Sequence, residues 1–189
     1  MMVFIRLGLV LAIFASACAL PRVASGADQP RAIDVRASHA IFSVQHLLVQ
    51  RVSGQLPIVA GTVDLASDGF TPTAVKATLD ARRIDTGDGD RDGDLQGTDW
   101  FDTRRYPLWT FVSSHIETTA PGAFLIGGML TIHGMSTPVT LATTLVRDAG
   151  SSTYHALAHV DRHLFGMVVT RADGMIGSDV TIVLDIRLQ

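Results

Sequence analysis

Residues 88–99, DGDRDGDLQGTD, hold Asp at the first, third and fifth places, Gly at the sixth and Asp at the twelfth. That is the donor spacing of an EF-hand loop, whose oxygens converge on calcium when two helices clamp it. Two features count against calcium here. Asp99 closes the series where a longer Glu gives two-oxygen coordination, and TLDARRIDT enters in an extended, alternating pattern. Calcium binding therefore ranks below a polar connection. His155, His159 and His163, spaced by four, raise zinc chemistry. A helix would gather them, but YHALAHV alternates as a strand, on which four residues span roughly 13 Å against zinc–ligand bonds of about 2 Å. No metal site is expected. Nor is a catalytic one: the chain has no G-x-S-x-G elbow, no H-E-x-x-H and no glycine loop between a strand and a helix.

The start of the chain sets the compartment. MMVFIRLGLVLAIFASACAL pairs Arg6 with an apolar run too short to span a bilayer comfortably, the pattern of a secretory signal. Small residues in VASGADQ put cleavage near Ala27, leaving 28–189 as one domain, periplasmic or secreted. A competing reading makes Ala15-Ser16-Ala17-Cys18 a lipoprotein site with Cys18 lipidated, although alanine stands where leucine is usual. Loss of residues 1–27 removes Arg6 and Arg22 and no acid, so the formal charge moves from −3 to −5. Nucleic acid is excluded as a partner on that charge. The single cysteine leaves as well, and with it any disulfide or thiol nucleophile.

What remains is a chain of strands. DVTIVLDIRL sets Val180, Ile182, Leu184, Ile186 and Leu188 against Thr181, Asp185 and Arg187, a period of two. HAIFSVQH, GTVDLA and AVKATLDA repeat the pattern, and WTFVSSHIE, AFLIGGMLTIH, TPVTLATTLV and YHALAHV are similarly β-rich. The turn segments SDGFTP, TAPG, HGMSTP and RDAGSS separate them. Eight such strands with one apolar face each must close into a sandwich or a barrel, and a barrel is favoured because it removes edges. Residues 88–106 break the alternation and are expected to form a short helix or lid.

Four segments follow in order along the chain: SHAIFSVQHLLVQRVSG (38–54), RRIDTGDGDRDGDLQGTDWFDTRRYPLWTF (82–111), GGMLTIHGMSTPVTL (127–141) and DRHLFGM (161–167). This order of short motifs resembles the YceI-like family, exported bacterial proteins that bind polyisoprenoids and related lipids. In that frame Arg91-Asp92 and Leu95 occupy familiar places, whereas Asp88 and Asp90 are local filling. Trp100 before Phe101, and Leu56 where a phenylalanine is common, depart from the pattern beside the pocket.

The resemblance implies an all-β, extended lipocalin-like antiparallel barrel of about eight strands, with a short helix or lid near residues 90–104. It implies an elongated apolar cavity, no catalytic centre and no cofactor, an isoprenoid lipid or quinone being cargo. Alternation within such a barrel turns Phe42, Val44, Val63, Val75, Leu79 and Phe111 inward, with Leu130, Ile132, Val139, Leu141, Ile182 and Leu184. Trp100, Phe101 and Tyr106 are expected to close the mouth, with Phe165 of DRHLFGM beside them. The expected partners are the lipid itself, a membrane or membrane redox protein, and a second copy in a homodimer. An accessory, stress-related module without cargo is the alternative.

Overall fold

The computed structural model describes residues 29–47, 50–148, 151–169 and 174–189. The expected signal segment and Cys18 lie outside the described residues. Strands β1 (Gln29–Ala32), β2 (His39–His46), β3 (Gln50–Gln55), β4 (Ile58–Leu65) and β5 (Pro72–Asp80) lead to helix α1 (Gly89–Gln96). Strands β6 (Leu108–Ala120), β7 (Ala123–Ile132), β8 (Met135–Asp148), β9 (Ser151–Asp161) and β10 (Ile176–Arg187) follow. All ten join one antiparallel sheet in the order β1-β4-β5-β6-β7-β8-β9-β10-β2-β3.

Closely twisted antiparallel strands curl, and this sheet curls into a half-barrel whose flanks meet at one corner. There Ile33 donates its amide to Gly61 (3.0 Å) and pairs with Leu188, while Asp34 donates to the Arg187 carbonyl (2.8 Å). The inner face is the core, where Phe111, Ile126, Leu141, Ala156 and Phe165 are buried. On its outer face Asp185 of β10 lies beside His155 of β9 and His39 of β2, and the next row outward is apolar and exposed, with Val183 beside Leu157 and Ile41.

About eight strands were expected and ten are present among the described residues. The two extra ones, β1 (QPRA) and β3 (QRVSGQ), are the end strands of the sheet. An end strand has one hydrogen-bonded neighbour, so it tolerates proline, glycine and polar side chains and shows no apolar alternation. The turns follow their residues. In the β7–β8 hairpin both central residues, His133 (φ 52°) and Gly134 (φ 72°), have the positive φ of a type I′ turn. The expected helix or lid at 90–104 is α1, residues 89–96, followed by hydrogen-bonded turns to Tyr106.

Asp80 fixes the exit from β5. Its buried carboxylate accepts from the Arg82 amide (3.1 Å), Nε (2.9 Å) and Nη2 (2.9 Å), capping a short 3-10 turn at Ala81–Arg83. The side-chain bond from Arg82 holds its pKa below the ordinary carboxylate value against the opposing effect of burial. A depressed folded-state pKa stabilises the fold above the unfolded-state pKa of about 4 and ceases to do so as pH falls through the lower folded value. Asp80→Ala is expected to cost about 1–2 kcal/mol at neutral pH, the worth of a buried cap. Thermal melts of both proteins from pH 7 to pH 2 should bring the two midpoints together at the acid end.

Candidate functional site

The inner face encloses two apolar chambers, of about 100 Å³ and about 200 Å³. Phe42 of β2, Trp109 of β6 and Ile182 of β10 border both and form the waist between them. Phe42, Val63, Val75, Leu79 and Phe111 border the first chamber, as do Leu130, Val139, Leu141, Ile182 and Leu184. Val44, Trp100, Phe101, Ile132 and Phe165 border the second, again with Phe42 and Ile182. Each strand delivers its lining residues at every second position because successive side chains point to opposite faces.

Tyr106 is a correction, for it lines neither chamber. Its ring stands edge-on to His133 (5.2 Å between centroids) and under the Arg105 guanidinium (5.2 Å). It follows an irregular turn in which Asp102 has φ 41°, so alternation says nothing of its direction. His133 Nδ1 lies 3.2 Å from the Phe165 carbonyl, and His46 borders the second chamber.

Further residues complete the lining. Ile58 opens β4, Ile126 and Ala156 come from β7 and β9, and Leu95 reaches in from α1. Trp109 was legible in principle, because it stands two residues before Phe111 on the same strand. The two departures from the family pattern, Leu56 and Trp100, border the first and second chambers respectively.

The chambers differ in polarity. The first is bordered by Tyr154, whose hydroxyl donates to the Phe70 carbonyl (2.8 Å). Burial, reinforced by Asp68, raises the Tyr154 pKa, so the donor proton is retained. Tyr154→Phe is expected to lower stability by about 1 kcal/mol, as removal of one hydrogen bond does, and denaturant titration checks it. The second chamber lies under α1 and is bordered by His46, Arg91, Asp94 and Arg162. Arg162 is 3 % exposed. It donates to the carbonyls of Gly177 (3.1 Å), Ile176 (3.1 Å) and Met167, and its guanidinium lies 5.4 Å from the centre of the Trp100 ring. That cation ties the entry of β10 to the turn after β9 and puts charge beside an apolar chamber.

Calcium at the acidic loop, the lower-ranked alternative, meets a helix instead of a loop. Residues 89–96 are helical with Asp88 as the cap, and Asp90 and Asp92, two apart, project about 200° from each other, so the acids at the first, third and fifth places do not converge. Asp88 caps that helix, accepting from the amides of Asp90 and Arg91 (both 3.2 Å). Asp92 accepts from the Thr86 amide (2.9 Å) and hydroxyl (2.6 Å). His155 and His159 project from β9 to the exterior, beside Asp185 and Asp179 of β10, and His163 sits in the 3-10 turn Arg162–Phe165 beside Asp161. Among the described residues no three potential metal ligands gather.

The family profile of the YceI-like domain matches residues 32–188. The chain belongs to the YceI-like domain family. A UPF0312 protein of Vibrio vulnificus is 28% identical over 130 residues, 68% of each chain, and one of Shewanella sp. is 32% identical over 126 residues, covering 65% of this chain and 64% of its own. Among solved structures, BcnA of Burkholderia cenocepacia superposes with a TM-score of 0.75 at 22% identity, over 83% of this chain and 99% of its own. A polyisoprenoid binding domain from Saccharophagus degradans, implicated in plant cell wall breakdown, gives a TM-score of 0.66 at 12% identity, over 84% and 97%. At such identities the two structures establish the YceI-like fold, and binding is said of the Saccharophagus domain alone.

Proposed function

We propose that this YceI-like protein binds and carries, without chemical change, an isoprenoid chain or isoprenoid quinone in the two chambers, working in the periplasm or outside the cell. The observation that carries this reading is an interior left open in two places and walled almost wholly by hydrocarbon. A solid core would pack that space, because protein interiors are as dense as organic crystals. An apolar cavity of about 150 Å³ stays dry and takes up benzene. On that scale the two chambers together admit roughly a dozen carbons before any wall moves. At about 0.8 kcal/mol per methylene, their transfer from water contributes on the order of 10 kcal/mol, from which several kcal/mol are lost in immobilising the ligand. What is left, about 5–7 kcal/mol, corresponds to binding in the range of roughly ten to two hundred micromolar before any wall moves.

The size of the chambers favours a tail of two or three isoprene units held inside, with any longer tail or head group reaching out past α1, where Arg91, Asp94 and Arg162 lie. Organic extraction of protein purified from its host, followed by mass spectrometry, tests the reading. Recovery of a prenylated amphiphile near one per chain is the expected result. Repeated recovery of none, together with failure of the stripped protein to take up a prenyl alcohol or quinone, would overturn it.

A further inference from the structure

We propose that the α1 end of the sheet is a bilayer-docking face, where Leu47, Leu164, Val168 and Met175 enter a membrane surface and seat the second chamber against it. This rests on the lipid-carrying reading above and names the partner with which the carrier exchanges its cargo. Antiparallel pairing gathers the ends of β2, β7 and β9 and the starts of β3, β8 and β10 at this end. The connections there carry the four most exposed large hydrophobic side chains among the described residues: Val168 (58 %), Leu164 (55 %), Leu47 (50 %) and Met175 (47 %). At the opposite end the turns before β2 and β5 present Val35 and Phe70, both less exposed, and the Arg147 guanidinium stands over the Phe70 ring (4.8 Å to its centre). The two ends therefore differ in character.

Each of the four adjoins a wall of the second chamber. Leu47 follows His46, Leu164 precedes Phe165, Val168 follows Met167 and Met175 precedes Ile176, and all four of those neighbours border that chamber. Backbone bonds hold the fringe together. The Leu47 amide donates to the Met175 carbonyl (2.6 Å) and the Val168 amide to the Gly166 carbonyl (2.9 Å), while Arg162 donates to the carbonyls of both Met167 and Ile176 and so ties one pair to the other. Apolar side chains gathered in water mark an interaction site. The cargo decides the occupant: a prenyl chain is expelled by water, so it is loaded from a bilayer or released into one, and a chamber seated on the bilayer spares the tail the crossing. Charge decides the manner. Helix α1 beside the fringe carries Asp90, Asp92 and Asp94, which repel anionic lipid, so attachment comes from shallow, reversible insertion of the apolar side chains.

The test uses the full chain, phosphatidylcholine vesicles and a fluorescent prenyl alcohol supplied either in those vesicles or in detergent. Leu164→Ser combined with Val168→Ser is expected to weaken partitioning onto the vesicles about tenfold, and to slow transfer of the alcohol from them about as much, since insertion scales with the apolar area buried. Uptake from detergent and the melting midpoint should stay as they were, because neither side chain borders a chamber. Leu157→Ser combined with Val183→Ser, an exposed pair in mid-strand on the outer face, should leave partitioning unchanged. The proposal is overturned if the unsubstituted protein ignores the vesicles, if the first pair of changes leaves partitioning intact, or if the second pair abolishes it. Partitioning that needs added phosphatidylglycerol and vanishes in salt overturns it as well. So does a change of oligomeric state in the first pair without vesicles, which would make the fringe a contact between copies. In each of these cases carriage survives while the alcohol still enters from detergent. If the alcohol enters from neither source, the carrier reading falls and the docking proposal with it.

Discussion

Ala156→Phe should abolish uptake of a prenyl chain, lowering affinity at least about a hundredfold, while the protein still folds. Ala156 is a buried residue of β9 that faces the first chamber between Thr143 of β8 and Leu184 of β10. A phenyl ring grown from its Cβ occupies the place of about six ligand carbons. At roughly 0.8 kcal/mol for each carbon kept in water, that amounts to on the order of 5 kcal/mol of lost binding, so a hundredfold is the lower bound. Stability responds differently, because new apolar surface fills an existing void. The gain from burial opposes an overpacking cost of about 1–3 kcal/mol, leaving a small net change of either sign. Leu157→Phe is the control. The neighbouring side chain points outward and is 43 % exposed, so the same ring there should leave uptake unchanged. Titration of both variants with a fluorescent prenyl probe, beside their melting curves, distinguishes a blocked chamber from a damaged fold. Full affinity in a folded Ala156→Phe protein would place the cargo outside the first chamber.

The parts of this fold that were legible in the sequence are those in which one strand face alone meets the interior. Val180, Ile182 and Leu184 alternate with Thr181 and Asp185 because β10 lies between β9 and β2, with hydrocarbon on one side and water on the other. Strands β1 and β3 lacked that signature, for an end strand is recruited by backbone pairing and leaves its side chains unconstrained. The acidic stretch is ambiguous by spacing alone. Asp88 followed by Asp90 and Asp92 reads equally well as a helix N-cap with acids in the first turn, where they complement the helix dipole, and the structure adopts that arrangement. The waist was illegible for a different reason. Phe42, Trp109 and Ile182 belong to strands far apart in sequence, and which of them meet is decided by the curl of the whole sheet.

That curl depends on Gly127 and Gly128, and Gly128→Val should cost at least about 3 kcal/mol. Strand β6 carries one extra residue opposite this pair, Ser113 facing Gly128 and His115 facing Gly127, so Ser114 bulges and the sheet bends sharply there. The bend brings β6 so close that a Cβ on Gly128 would lie 2.4 Å from the Val112 carbonyl oxygen and 2.8 Å from the Ser113 Cα. Both atoms belong to the backbone of the paired strand. Neither can retreat without breaking ladder hydrogen bonds, each worth about 1 kcal/mol, and burying the groups left behind. Replacing a strand glycine ordinarily gains about 0.5–1 kcal/mol through the unfolded chain, which is too little to offset such a clash. Gly54 is the comparison that isolates the cause. A Cβ there meets only side-chain atoms, Phe42 Cζ at 2.6 Å and Thr86 Cγ2 at 2.7 Å, which can rotate aside. Gly54→Ala should therefore cost less in a denaturant titration than Gly128→Ala. Because the ring it displaces is the Phe42 wall of the waist, it should alter lipid uptake more than it alters stability.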